Sequence, residues 1–333
     1  MKPEEKFINI TDNKTKIKQL IEELVLAPRL NAIKWSQITK QTPNIKIGYP
    51  GQHLASLITG MPGERTGARG NDLIDGSEVK SCSRVDQLDV CKACKSPVSR
   101  SEEICPACNS KDVSRKEDSK WLFTIRNEND LKVLINDVKR VVLLIADYPN
   151  FESNDFNTLR FQAYEIWTQS PRNKRFSELM DNYYHKIYLG HKTKDASKNP
   201  APKNFWPYSY QFFLCNPILT FSCIVKDANT KPKIDIQHYI EPNQDRSKLE
   251  SVLMPPNLLG DLEFDILLNN AKKSEIIDML NIDKIPDFKS MKLPEKRKVF
   301  KGIDEKLRFY LPLRDTDKIS ESKSAYARRK LVE

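Results

Sequence analysis

A chain of 333 residues that is 39% hydrophobic and 30% charged can build a real core, as one large domain or two ordinary ones. No apolar run approaches the roughly 20 residues of a membrane-spanning helix, and Met1 to Ile10 is charged and polar without a signal-peptide core, which excludes a membrane protein and predicts a cytoplasmic one. The net charge of +10 favours an anionic partner, nucleic acid being the commonest, although a solvated basic face accounts for it equally well.

In chain order, the spacing of Ile17, Leu20, Ile21, Leu24 and Val25 predicts a first helix, capped by Thr11 or Asp12 and ended by Pro28. A second helix with Leu30, Ile33 and Ile38 on its buried side follows, then a short third one with Leu54, Leu57 and Ile58. Gly60, Gly63, Gly67, Gly70 and Gly76 are half of the chain's 10 glycines. Glycine allows close approaches and backbone shapes other residues resist. A bland loop would share the composition, but this one runs into an acidic cluster. Asp72 to Ile74 and Glu78 to Arg84 read as two strands joined by a tight turn at Asp75-Gly76-Ser77.

After the cysteine-rich stretch Cys91 to Cys108, a strand is expected at Trp121 to Ile125 and a helix from Asn129 to Lys139. Val141 to Ala146 is apolar throughout, as a strand buried on both faces would be. Two helices are then expected, one presenting Leu159, Ala163, Ile166 and Trp167, the other Phe176, Leu179, Met180, Tyr183 and Ile187. His191 to Pro207 reads as a loop, and strand patterns recur at Tyr208 to Cys215, Leu219 to Val225 and Ile234 to Ile240. Pro255-Pro256 is a candidate boundary. Beyond it the chain reads as helical and basic, with fourteen Lys and Arg against six Asp and Glu from Lys289 to Lys330. That surplus suits a phosphate-facing surface, with Tyr326 to Lys330 as an arm that orders on DNA; a solvated terminus is the plainer alternative.

The chemistry gathers at Asp72-x5-Glu78-x-Lys80. Two residues apart on a strand, Glu78 and Lys80 share a face. If the loop is Asp75 to Ser77, Ile74 pairs with Glu78 and Asp72 lies opposite Lys80, so all three project together; a two-residue loop would put Asp72 on the other face. Phosphodiester hydrolysis needs an attacking water, charge neutralisation and help for the leaving oxygen. Mg²⁺ can give all three when held by one or two carboxylates. Asp72 and Glu78 are candidate ligands, the Val79 carbonyl an additional one, and Lys80 a group to orient water and offset charge. Against this, most Glu-x-Lys pairs on strands are solvated ion pairs worth little.

The stretch Gly70-Asn71-Asp72-Leu-Ile-Asp-Gly-Ser-Glu78-Val-Lys80 resembles the active-site segment of the PD-(D/E)xK nuclease superfamily. From Gly67 to Ile125, cysteine insert included, the chain resembles a type II restriction endonuclease of the MamI-like family. The resemblance implies an α/β fold: a restriction-endonuclease-like mixed sheet flanked by helices. Asp72 and Glu78 would be the metal ligands and Lys80 the catalytic lysine. Asn71 stands where a proline often precedes the aspartate, which leaves Asp75 as an alternative ligand. Glu22 or Glu23 is a candidate for the acidic residue that a preceding helix often supplies.

Cys91-x2-Cys94-x10-Cys105-x2-Cys108 is the strongest local signal. Two CxxC knuckles in a reducing compartment predict a closed, structural Zn²⁺ site rather than disulfides. The ribbon also carries Lys92, Lys95, Arg100, Lys111, Arg115 and Lys116. These charges either touch phosphates or are merely solvated. Cys82, Cys215 and Cys223 are expected to be buried. His185 and His191 are expected in surface or packing roles, and Phe205 to Phe213 in the core.

The expectation is a nuclease core over 1–256, with a zinc-ribbon insertion at 88–113, and a basic, mostly helical DNA-contacting region over 257–333. Its function would be Mg²⁺-dependent cleavage of double-stranded DNA at a specific sequence, by a homodimer if the site is palindromic. A DNA-repair or structure-specific nuclease on the same core, and a non-catalytic zinc-ribbon DNA-binding protein, are the alternatives.

Overall fold

The computed structural model describes residues 1, 12–44, 46–65, 71–197, 199–315 and 317. Thr11, Gly67, Gly70 and the arm from Tyr326 to Lys330 lie outside them. Two compact units interleave along the chain, the first made of Met1–Trp121, Asp137–Trp167 and Leu219–Lys248, the second of Leu122–Asn136, Thr168–Ile218 and Leu249–Glu333. Among the described residues the strands are β1 (Ser77–Ser83), β2 (Asp89–Cys91), β3 (Pro97–Val98), β4 (Val113–Ser114), β5 (Trp121–Phe123), β6 (Arg140–Asp147), β7 (Leu159–Ile166), β8 (Lys203–Phe205), β9 (Ile218–Lys226) and β10 (Lys233–Tyr239).

The first unit is a mixed sheet in the order β1-β6-β7-β9-β10. β1 runs parallel to β6, with Glu78 beside Val141 and Lys80 beside Leu143, while β6–β7 and β9–β10 are antiparallel. The expected strand at Val141 to Ala146 is β6, and it is buried along its whole length. Helices α1 (Asn13–Ile21), α2 (Ala27–Thr39) and α3 (Gly48–Thr59) precede the sheet. Ile17, Ile21, Leu54, Ala55 and Ile58 join Val79, Val142, Leu144 and Ala146 in one core, each large apolar side chain contributing about 1.5–3 kcal/mol. Gly51 lets α3 approach β1, since a Cβ there would meet the Ser81 Oγ at 2.2 Å.

Several expectations are corrected. Pro28 does not end the first helix. The helical path continues from α1 through a wider turn at Glu22–Leu26, in which the Ala27 N–H bonds the Glu22 carbonyl, and Pro28, which has no N–H to give, falls just after that turn as the second residue of α2. Asp12 is the N-cap, accepting the Thr15 N–H at 3.1 Å. Ile38 and Leu24 are exposed. Leu159 to Ile166 is strand β7 rather than a helix. It is buried on both faces, so period-2 alternation is lost and its apolar residues imitate a helical spacing. Its polar residues are matched inside: Arg160 with Asp147, and Glu165 with Arg140 and Arg246.

The second unit contains α4 (Glu128–Lys132), α5 (Lys174–Asn182), α6 (Leu189–Lys194), α7 (Tyr210–Leu214), α8 (Asp261–Asn270), α9 (Lys273–Leu280), α10 (Leu293–Val299) and α11 (Glu305–Arg308), with β8 paired to β5. Phe123, Phe176 and Phe205 meet edge to face with centroids 5.5 to 6.2 Å apart. The expected strand at Tyr208 to Cys215 is instead α7, capped by the Ser209 hydroxyl, which accepts the Phe212 N–H at 3.2 Å. A short apolar run does not distinguish strand from buried helix, and the serine cap decides it here. The expected loop from His191 to Pro207 is interrupted at both ends, by α6 and by β8. Phe205, Tyr208, Tyr210, Phe212 and Phe213 are fully buried, as expected of core.

Candidate active site

The acidic segment is not a hairpin. Asp72 to Gly76 forms a closed turn ahead of β1, in which the Asp72 and Leu73 N–H groups both bond the Ser77 carbonyl, at 3.0 and 3.1 Å. Gly76 sits at φ +86°, a conformation that strains any side-chain-bearing residue. Ile74 therefore does not pair with Glu78; its N–H bonds the Pro62 carbonyl at 3.1 Å. The partner of β1 is β6, sixty residues on, which no local turn rule reveals.

The three polar side chains nevertheless converge. β1 is an edge strand, and Asp72 Oδ2 accepts the Val79 N–H at 2.7 Å. The other Asp72 oxygen, Oδ1, accepts from Gln52 Nε2 on α3 at 3.0 Å. Glu78 and Lys80 project from one face of β1, with the Lys80 ammonium against Glu78 Oε1, their side chains 19% and 28% exposed. Burial pushes the Glu78 carboxyl above its ordinary range and the charge of Asp72 adds to this, while Lys80 pulls it back. Two carboxylates whose charges oppose one another, with one lysine beside them, thus gather half-buried at the outer edge of β1. That is the electrostatic condition under which a hard divalent cation is held by oxygen ligands.

The alternatives separate clearly. Asp75 is buried and engaged: it accepts from Arg140 Nη2 at 2.6 Å and from the Ser77 N–H at 3.1 Å. Glu22 and Glu23 are exposed on the helix surface, where Glu23 accepts from Gln19. The residue that a helix does send to Asp72 is Gln52, which the sequence reading passed over because nothing in the α3 pattern marks it. Arg140 was missed too. Its signal was an arginine at the head of an otherwise apolar strand.

The four cysteines come together on a separate three-stranded sheet, β3-β2-β4. The Sγ atoms of Cys91, Cys94, Cys105 and Cys108 all lie within 4.8 Å of one another. Hydrogen bonds from the Ser96 side chain and backbone pull the Cys94 thiol down to about 6. Four convergent thiols in two knuckles fit a tetrahedral metal. The basic count of the ribbon needs correction, however. Arg100 is fully buried against Asp89, with its guanidinium 5.0 to 5.8 Å from the rings of Phe151, Phe156 and Tyr148. Arg115 bonds Asp89 at 3.0 Å and the Glu102 carbonyl at 2.7 Å, and Lys92 pairs with Asp112 at 2.8 Å. The bonds to Asp89 and Glu102 stay within the ribbon, and it is the contacts of Arg100 with these rings, and of Arg115 with Phe156 at 4.9 Å, that fasten the ribbon to the connection between β6 and β7. Away from the ribbon, burial pushes the Cys82 and Cys223 thiols up to about 12, as suits inert core residues, and Cys215 is buried with them. His185 and His191 are exposed. No helix among the described residues is long and apolar enough to cross a membrane.

Comparison with known proteins bears on this geometry. Residues 34–257, more than half of the chain, match the family model described as MamI restriction endonuclease. A stretch of 56 residues is 39% identical to the type II restriction enzyme MamI of Microbacterium ammoniaphilum, covering 17% of this chain and 18% of that relative. No solved structure matches. With the family match extending across the acidic turn, the ribbon and the strands of the mixed sheet, the chain belongs to the MamI restriction endonuclease family.

Proposed function

We propose that this protein is a type II restriction endonuclease that hydrolyses phosphodiester bonds of duplex DNA at a specific sequence, with Mg²⁺ at Asp72 and Glu78. The observation that carries the reading is the convergence of Asp72, Glu78 and Lys80 at the start of an edge strand, with Asp72 held by Gln52 and the Val79 N–H. The sheet would then be a restriction-endonuclease-like core.

In this reading Asp72 and Glu78 hold the cation, with the Val79 carbonyl as a further oxygen donor. Bound there, Mg²⁺ supplies Lewis-acid polarisation of the phosphate and a more acidic water. Lys80 stands beside Glu78, placed to orient the attacking water and to offset charge as the phosphorus becomes five-coordinate. Gln52 and the Val79 N–H fix the Asp72 carboxylate, so the ligand does not reorganise when the cation arrives.

The four cysteines hold a structural Zn²⁺ in the same reading, because a complete set of thiolates leaves no open position for chemistry. Residues 1–256 would be the nuclease core, with the ribbon inserted at 88–113, and 257–333 a DNA-contacting region. In that last region Lys289, Lys292, Lys298, Lys301 and Lys306 are exposed and suited to phosphates, whereas Lys296, Arg308 and Arg314 are spent on internal partners. A palindromic site would call for a homodimer.

Digestion of a long unmethylated duplex with Mg²⁺ tests this directly. Discrete fragments are expected. Cleavage that requires mismatches or branches would instead make the protein a repair nuclease. Binding with no cleavage of any duplex would make it a non-catalytic DNA-binding protein.

A further inference from the structure

The acidic turn rests on a buried ionic cluster that the proposed chemistry does not use. Arg140 heads β6 and is fully buried. Its three guanidinium nitrogens reach three different acceptors: Nη2 meets Asp75 Oδ2 at 2.6 Å, Nε meets Ser77 Oγ at 2.9 Å, and Nη1 meets Glu165 Oε1 at 3.3 Å. The guanidinium also lies 5.1 Å from the centroid of the Trp167 ring. Glu165 takes a second arginine, Arg246, whose Nε is 3.3 Å from Oε2 and whose Nη1 is tied to the carbonyls of Glu241, Pro242 and Gln244. Beside the cluster, the Lys139 N–H bonds the Gly76 carbonyl at 3.0 Å. Two arginines and two carboxylates balance in charge.

Such a cluster contributes little net stability, because the desolvation of its ions offsets much of their attraction. What it does supply is a single geometry. A planar guanidinium satisfies three acceptors only when all three stand in fixed places, which a lysine ammonium does not enforce. Two of those acceptors, Asp75 in the turn and Ser77 at the head of β1, flank Gly76, and the Ser77 carbonyl in turn bonds the N–H groups of Asp72 and Leu73. A mechanical chain thus runs from Glu165 through Arg140 and the Asp75–Ser77 segment to the backbone of Asp72.

We propose that Arg140 is the positioning residue that sets Asp72 against Glu78 for cation binding, acting through Asp75 and Ser77 and never touching DNA. The proposal rests on the reading that Asp72 and Glu78 hold the catalytic cation. It also explains why Asp75, acidic and only three residues from Asp72, is not itself a ligand: its carboxylate is the handle by which the turn is held.

The test uses the full-length protein and measures single-turnover cleavage as a function of Mg²⁺ concentration, below the melting temperature of each variant. Metal-free duplex binding and thermal unfolding are measured in parallel. Asp75→Asn keeps the size of the side chain and an acceptor for the Ser77 N–H but loses the charged bond to Arg140. Arg140→Lys keeps the charge and loses the fork. Both are expected to raise the Mg²⁺ concentration for half-maximal rate by about tenfold or more, with metal-free DNA binding within about twofold of wild type. A purely structural cluster would lower the melting temperature and leave the Mg²⁺ dependence of the folded fraction alone. A shift below about twofold in both variants overturns the proposal, whatever their melting temperatures; should Arg140→Lys fail to fold, Asp75→Asn alone decides. Glu78→Gln separates the two levels of the argument: if it cuts like wild type, the site reading itself falls, independently of Arg140.

Discussion

The ribbon and the acidic turn are both dense knots of polar side chains, yet they are tied in opposite ways. The cysteines of the ribbon are brought together by contacts among near neighbours, such as the Lys95 N–H to the Cys91 carbonyl and the Asn109 N–H to the Cys105 carbonyl, each repeating the turn its knuckle encodes. The turn that carries Asp72 is held by residues remote in sequence: Gln52 at a separation of 20, and Arg140 at 63 and 65 from Ser77 and Asp75. A metal knuckle can thus be written in a few consecutive residues. A hydrolytic site of this type needs its carboxylates aimed to a fraction of an ångström, and that aim comes from the sheet.

Removing the metal should give the largest effect and the clearest test of this contrast. If the ribbon holds Zn²⁺ as proposed, chelation withdraws a binding free energy of roughly 10–16 kcal/mol from its local fold. Hydrogen exchange should then show protection lost across Cys91 to Ser114 while β6 and β7 stay protected. Loss across the sheet as well would mean that the two regions are one cooperative unit and the contrast is false. Arg100→Met comes next. It removes the buried ion that pairs with Asp89 inside the ribbon and seats the ribbon against the rings of Tyr148, Phe151 and Phe156. A loss of about 3–5 kcal/mol in denaturant unfolding is expected, and a change under about 1 kcal/mol would show that the ribbon is held elsewhere. Gln52→Ala should be smallest. One hydrogen bond to a charged group is worth about 1.5–3 kcal/mol, and Asp72 keeps the Val79 N–H. Stability should fall by no more than that and the cleavage rate by about tenfold, since 1.4 kcal/mol is a factor of ten; an unchanged rate would remove Gln52 from the site.

How far the sequence carries a reader follows the same division. The cysteine cluster was legible in full, because spacing alone determines it. β6 and β9 were legible from their apolar runs, β10 from its alternation, and α1, α3 and α5 from their helical periods. β7 was not, because a strand covered on both faces loses the alternation that identifies it, and its Arg160 and Glu165 look like the polar face of a helix until Asp147, Arg140 and Arg246 are seen beside them. At the candidate site the residue types and their grouping could be read, but not the arrangement. The hairpin expectation assumed that adjacent segments pair, whereas β1 takes a partner sixty residues away and leaves its outer edge to Asp72. Gln52 carries no local mark, because its place at the site lies in what it reaches, and the mark of Arg140 is only its charge at the head of the apolar run of β6.

The most direct measurement is cleavage and binding by Glu78→Gln beside wild type, on the same unmethylated duplex. The substitution keeps the shape of the side chain next to Lys80 and removes the charge that, with Asp72, would hold the cation. The account predicts that the variant still binds duplex while Mg²⁺-dependent cutting falls by at least about a hundredfold. Cutting at the wild-type rate with Mg²⁺ would contradict it and send the search for the active site elsewhere in the chain.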